Sequence, residues 1–219
     1  MAYLLCSVAA LVVSWDLAAP LKNRPAIFYG AAAALCAIQL AALVLARDGA
    51  VSQALAAFVG NGLLSFCLFA AVMFAGCFKP GSKVRMRLMQ VREPLANTAS
   101  ILALGHILFI GFVHDIDPRL GAAFVGICIM LAVLLTILAT TSLSSIRERM
   151  GMARWKKTHR LAYVFFPAAC IHGVYATAAT GEFAPGLFYG TAGIAYSAAR
   201  LYAWHSHRKR FAQPKHTTR

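Results

Sequence analysis

Acidic residues are scarce in this chain: 7 Asp and Glu in 219 residues, and only 13% charged residues of either sign. A soluble domain wets its surface with about 25% charged residues, so an ordinary globular class is excluded. No CxxC pair occurs, and the six cysteines Cys6, Cys36, Cys67, Cys77, Cys128 and Cys170 are scattered as small packing residues rather than a thiol-redox set. There is no nucleophile elbow, no paired carboxylate and no zinc-spaced ligand cluster. A nucleotide or flavin domain needs on the order of 100 residues and a Gly-rich βα turn, for which there is neither room nor motif. The alternating pattern of a membrane β-barrel is missing as well.

What the chain has is grease and positive charge. It is 60% apolar, its mean hydropathy is +0.68, and its formal charge is +14. Seven apolar runs, 2–19, 26–46, 54–78, 95–113, 120–143, 161–178 and 183–199, are each long enough to span a bilayer of about 30 Å. A segment in lipid must satisfy its own backbone, so these runs read as helices. The expected fold is all-α, a polytopic membrane helical bundle of about seven transmembrane helices. The first run has no basic residue ahead of it and carries Asp16, which favours a retained helix over a cleaved secretory signal.

The basic residues alternate by loop. Nineteen of 21 fall in one set of compartments, around Lys22, Lys79 to Arg92, Arg147 to Arg160 and Arg200 to Arg219; only Arg47 and Arg119 fall in the other, beside Asp48, Asp115, Asp117 and Glu182. The positive-inside rule then puts the N-terminus outside and the C-terminus in the cytoplasm, consistent with a multi-pass protein of a bacterial inner membrane. The stretches 79–93 and 144–157 read as short amphipathic cytoplasmic helices, and 205–219 as a disordered basic tail. Their charge serves topology and attraction to anionic lipid headgroups, so membrane lipid is the expected partner and nucleic acid is not. Gly60-Asn61-Gly62, inside the third run, permits close helix approach or borders a flat cofactor.

Histidines in hydrocarbon carry the functional signal, because an ionisable group there is costly unless satisfied by a neighbour or put to use. Entering from the cytoplasm near Pro94, the fourth helix reaches His106 after about 18 Å of rise; entering near Lys156, the sixth reaches His172 after about 24 Å and starts with His159 at the edge. Two imidazoles at comparable depth on separate helices form the arrangement that clamps a b-type haem axially. Gly105 and Gly173 beside them would leave room for a porphyrin face. No CxxCH occurs, so covalent haem attachment is excluded.

The run Thr141-Ser142-Leu143, then Trp155-Lys156-Lys157-Thr158-His159-Arg160-Leu161-Ala162-Tyr163, then His172 resembles the ferric-reductase-like transmembrane family, in which a TS step precedes W-x3-H-R-L-x-Y and a second histidine follows 13 residues on. That family includes ferric reductases, the membrane part of NADPH oxidases and the haem-binding membrane subunit of a bacterial periplasmic methionine sulfoxide reductase system. The resemblance covers roughly 92–178. It implies a helical bundle holding haem b, with His106, His172 and His159 as cofactor-binding residues. His106 and His172 would be the axial iron ligands and His159 a third candidate. The chain then divides into 1–93, three helices and a basic loop; 94–204, the haem-binding region; and the tail 205–219.

This sequence departs from two-haem members where the fourth helix should offer an inner histidine: it has Arg92, Glu93 and Asn97 there, and His114 lies in the outer loop. One haem b or two therefore stays open, with His205 or His207 as alternative inner partners for His159. The function implied is that of a membrane cytochrome b subunit, the electron-transfer part of a membrane oxidoreductase. It would pass electrons from a separate cytoplasmic reductase, a flavin or a quinol to an acceptor outside. The alternative is a haem-free transporter or a structural assembly subunit, for which Asp16, Gln39 and Asn61 are the main intramembrane polar groups.

Overall fold

The computed structural model describes residues 2–46, 49–113, 121–181 and 183–212. Within them every regular element is helical: α1 (Ala2–Trp15), α2 (Ala18–Asn23), α3 (Pro25–Leu45), α4 (Ala50–Leu55), α5 (Leu63–Phe74), α6 (Lys83–Val113), α7 (Gly121–Ser142), α8 (Ser144–Met150), α9 (Met152–Thr158), α10 (Ala162–Ala179) and α11 (Phe183–Ala212). A π-helical turn, Ala56–Gly60, joins α4 towards α5, and a 3₁₀ turn, His159–Leu161, joins α9 to α10. Five segments are long and apolar enough to cross a membrane: Pro25–Leu45, Ala50–Phe74, Lys83–Gly111, Gly121–Ser142 and Met152–Ala179. The chain is a multi-pass membrane protein.

The two remaining runs fall short for different reasons. The first stops as α1 after 14 residues, where the Asp16 and Leu17 amides both turn back to the Val12 carbonyl. The last is 30 residues long as α11, but its glycines, tyrosines and basic end dilute its hydropathy. That helix runs through 205–212, a stretch read from sequence as disordered tail. Arg47, Asp48, the loop 114–120 with His114, Asp115, Asp117 and Arg119, Glu182 and residues 213–219 lie outside the described residues, as do the side chains of 207–212.

Lipid offers no hydrogen bonds, and the small hydroxyls along the spans satisfy themselves accordingly. Thr136, Thr140 and Ser142 in α7 and Thr177 in α10 each donate to the carbonyl four residues back at 2.7–2.9 Å. The core is aromatic. Phe166 of α10, fully buried, stacks on Phe66 of α5 with ring centroids 5.4 Å apart and meets Tyr196 of α11 edge-on at 5.0 Å. Tyr189 of α11 stands edge-on to Phe66 at 4.8 Å.

Glycine sets two approaches in this core. A Cβ at Gly173 of α10 would lie 2.5–2.7 Å from the Tyr189 ring, and one at Gly105 of α6 would run into the Cys36 thiol of α3. These positions are filled by neighbouring helices, so they serve packing. The expected clearance for a porphyrin at Gly105 and Gly173 is not what the two glycines provide.

Candidate functional site

The imidazoles of His106 on α6 and His172 on α10 meet, with ring centroids 6.3 Å apart and planes at 75°. Different groups hold each of them. His106 Nδ1 lies 2.5 Å from the Gly60 carbonyl oxygen. A carbonyl only accepts, so Nδ1 carries the proton and Nε2 keeps its lone pair. His172 Nδ1 lies 3.6 Å from the Cys128 sulfur of α7, and the Phe124 ring stacks on the imidazole at 4.9 Å and 17°. Among the described residues neither Nε2 has a hydrogen-bond partner. The site is thus a pair of rings fixed through one nitrogen each, with the other left for use.

The Gly60 carbonyl is available because the third apolar run is broken. The Asn61 amide returns to the Ala56 carbonyl at 2.8 Å and the Gly62 amide to Val59 at 2.9 Å; the first amide of the α5 ladder, Phe66, bonds to Gly62 at 2.9 Å. Among the described residues no backbone amide takes the Gly60 oxygen. Gly62 makes the break sterically cheap, with a left-handed φ of 71° that only glycine adopts freely. Its missing Cβ also matters, since one would stand 3.1 Å from the His106 ring. Sequence reading placed the glycines of 60–62 at a close approach and missed that they break the helix.

His159 is held elsewhere. Its ring lies against Trp155, centroids 4.3 Å apart, and its Nε2 is 3.2 Å from Thr141 Oγ1. The Trp155 indole N–H donates to the Thr141 carbonyl at 3.1 Å, while the Thr141 hydroxyl donates to Ile137 at 2.7 Å. With its proton committed, the hydroxyl accepts from His159, whose Nε2 is therefore the protonated nitrogen. The TS step and the W-x3-H-R entry are in this way one contact cluster joining α7 to α9 and the 3₁₀ turn.

Nearby side chains at the inner end of α6 are occupied. Glu93 pairs with Arg147 of α8 at 2.5 Å, and Asn97 Nδ2 donates to the Tyr29 hydroxyl at 3.2 Å. His205 is exposed on α11, and no contact links it to His159 among the described residues. Nor do those residues contain any group of three or more His, Cys, Asp or Glu able to hold a bare metal ion. Sequence reasoning found the three histidines but not Phe124 or Cys128, which no spacing marks.

An uncharacterized protein of Treponema pallidum (strain Nichols) is 36% identical over 116 residues, which cover 49% of this chain and 32% of that protein. The chain therefore spans about a third of the length of this relative. No solved structure matches. The model of the ferric reductase like transmembrane component matches residues 58–170, from the π turn that holds His106 to two residues short of His172. With that match over more than half its length, the chain belongs to the ferric reductase-like transmembrane family.

Proposed function

We propose that the protein is a membrane cytochrome b subunit, carrying electrons between a donor on the cytoplasmic side and an acceptor outside. The observation that supports it most is the His106 and His172 pair. Their ring centroids lie 6.3 Å apart, a spacing at which both imidazoles could hold one iron between them. His106 is anchored through Nδ1–H, which leaves its Nε2 as the ligand atom, and His172 would offer Nε2 likewise in the tautomer whose Nδ1–H faces the Cys128 sulfur, the arrangement in which an outer hydrogen bond orients a metal-binding histidine. His106 and His172 would hold haem b, and the bound haem would supply a reversible one-electron iron couple.

The chain's own residues then have distinct tasks. Gly60 and Cys128 orient the two ligand rings, while Phe124 covers His172 and keeps lipid and water from its face. His159, fixed by Thr141 and Trp155, sits about 20 Å of helix rise from His172, so it belongs to the cytoplasmic half. The reading includes seven spans, an outside N-terminus and a cytoplasmic C-terminus in a bacterial inner membrane. It also includes electron entry from a separate reductase protein, a flavin or a quinol. Absorption spectra of the purified protein, oxidised and then dithionite-reduced, test the central claim. A low-spin b-type spectrum is expected; a colourless preparation that gains no Soret band on adding haem would overturn it.

A further inference from the structure

We infer that Gly60 is a positioning residue for His106: its backbone carbonyl, freed by the helix break after the π turn, takes the Nδ1 proton, fixes the ring and raises the basicity of Nε2. The inference rests on the reading of His106 as a haem ligand, and it goes further by giving the helix break a purpose.

An open carbonyl inside lipid has no water to bond with, so it is a strong acceptor waiting for a donor. His106 Nδ1 meets it at 2.5 Å, at the short end for an N–H donor. π turns inside helices recur at functional positions, and this one is followed at once by Gly62 in a left-handed φ, where the helix breaks. The carbonyl is also locked from behind. A Cβ at position 60 would collide with the Gln39 amide nitrogen of α3 and lie 2.8–2.9 Å from the Phe109 ring of α6. Gln39 is 2% exposed, and its amide nitrogen has no hydrogen-bond partner among the described residues. It is packed against the Gly60 backbone as a wedge. Alanine at position 60 forces a shift of the Gln39 amide end, of the Phe109 ring or of the peptide itself, and in the last case the carbonyl moves with it.

A hydrogen bond from Nδ1 to a carbonyl makes the imidazole a better donor to ferric than to ferrous iron. Losing it should shift the ratio of ferrous to ferric affinity about tenfold, a rise in midpoint potential of about 59 mV for a one-electron couple. The first experiment is a potentiometric titration and a low-temperature EPR spectrum of Gly60→Ala and of Gly60→Ala with Gln39→Ala. The single variant should show the raised potential and altered low-spin g-values, and the double variant, with the wedge removed, should return part of the way. A haem-loaded Gly60→Ala with wild-type potential and g-values overturns the inference while leaving the haem reading intact.

The second experiment needs no haem. In haem-free wild-type protein labelled with ¹⁵N-histidine, assigned by comparison with His106→Gln, the His106 signals should be those of the Nδ1-protonated tautomer. An Nε2-protonated His106 overturns the inference even where Gly60→Ala fails to fold. A wild-type protein that never takes up haem fails the functional reading instead.

Discussion

A histidine in a membrane is defined by which of its nitrogens is already spoken for. His106 and His172 are engaged through Nδ1 and His159 through Nε2, so the three should respond differently to removal. If His106 and His172 hold haem b as proposed, His172→Ala should cost most of it or turn it high-spin, read as loss of the low-spin bands, because water would not replace a ligand in a dry helix interior. His159→Ala should leave the outer low-spin spectrum nearly unchanged, with haem per chain equal to wild type if one haem is bound and lower by about one if two are. Unchanged spectra in His172→Ala would remove it from the ligand set. The two histidines of the pair were legible in the sequence because a helix rises a fixed distance per residue, which turns position into depth. Their partners were not: Gly60 lies 46 residues from His106 and Cys128 lies 44 from His172, and no periodicity links such distances.

Helices in lipid gain nothing from burying apolar surface against one another and associate by close packing instead, so glycines and shape decide their pairing. Gly173→Ala should push α11 from α10, since the Tyr189 ring standing 2.5–2.7 Å from the new Cβ is rigid and has no free end to swing aside. Phe166→Ala removes the ring between Phe66 and Tyr196 and should lower stability by about 3 kcal/mol, at the low end for a large core truncation, because only contacts and not desolvation are lost. Thermal unfolding in detergent measures both; wild-type midpoints would contradict the packing account. Apolar runs reveal where helices lie, since lipid leaves the backbone no other choice. They do not reveal where helices end. The basic stretch 79–93, read as a separate short helix, continues from Lys83 through Pro94 into α6, because proline removes a single backbone bond, the one to the Gln90 carbonyl. The third run, read as continuous, breaks at its glycines.

At the scale of the whole molecule the sidedness of charge governs. A reporter fused after Arg219 should be active only in the cytoplasm, and one inserted near Asp115 only on the outer side. The reverse pattern would place His106 and His172 in the cytoplasmic half and require electron flow in the opposite sense. The Arg147 and Glu93 pair ties α8 to α6 on the basic side; both side chains are substantially exposed, so Glu93→Gln should change stability by less than about 1 kcal/mol.

One basic contact reaches across the chain in another way. Arg87 at the start of α6 donates to the Trp15 carbonyl at 2.6 Å and lies 4.8 Å over the Trp15 ring, closing the last turn of α1. During synthesis that last turn leaves the ribosome long before its arginine exists. At about 5–20 residues per second, the 72 positions from Trp15 to Arg87 take several seconds, during which α1 has an open carbonyl end and too little length to hold firmly in the bilayer. A nascent chain arrested before residue 87 should therefore keep α1 accessible to protease or able to slip, and one arrested well after it should not. α1 would be secured by α6, making the order of translation part of how this bundle closes.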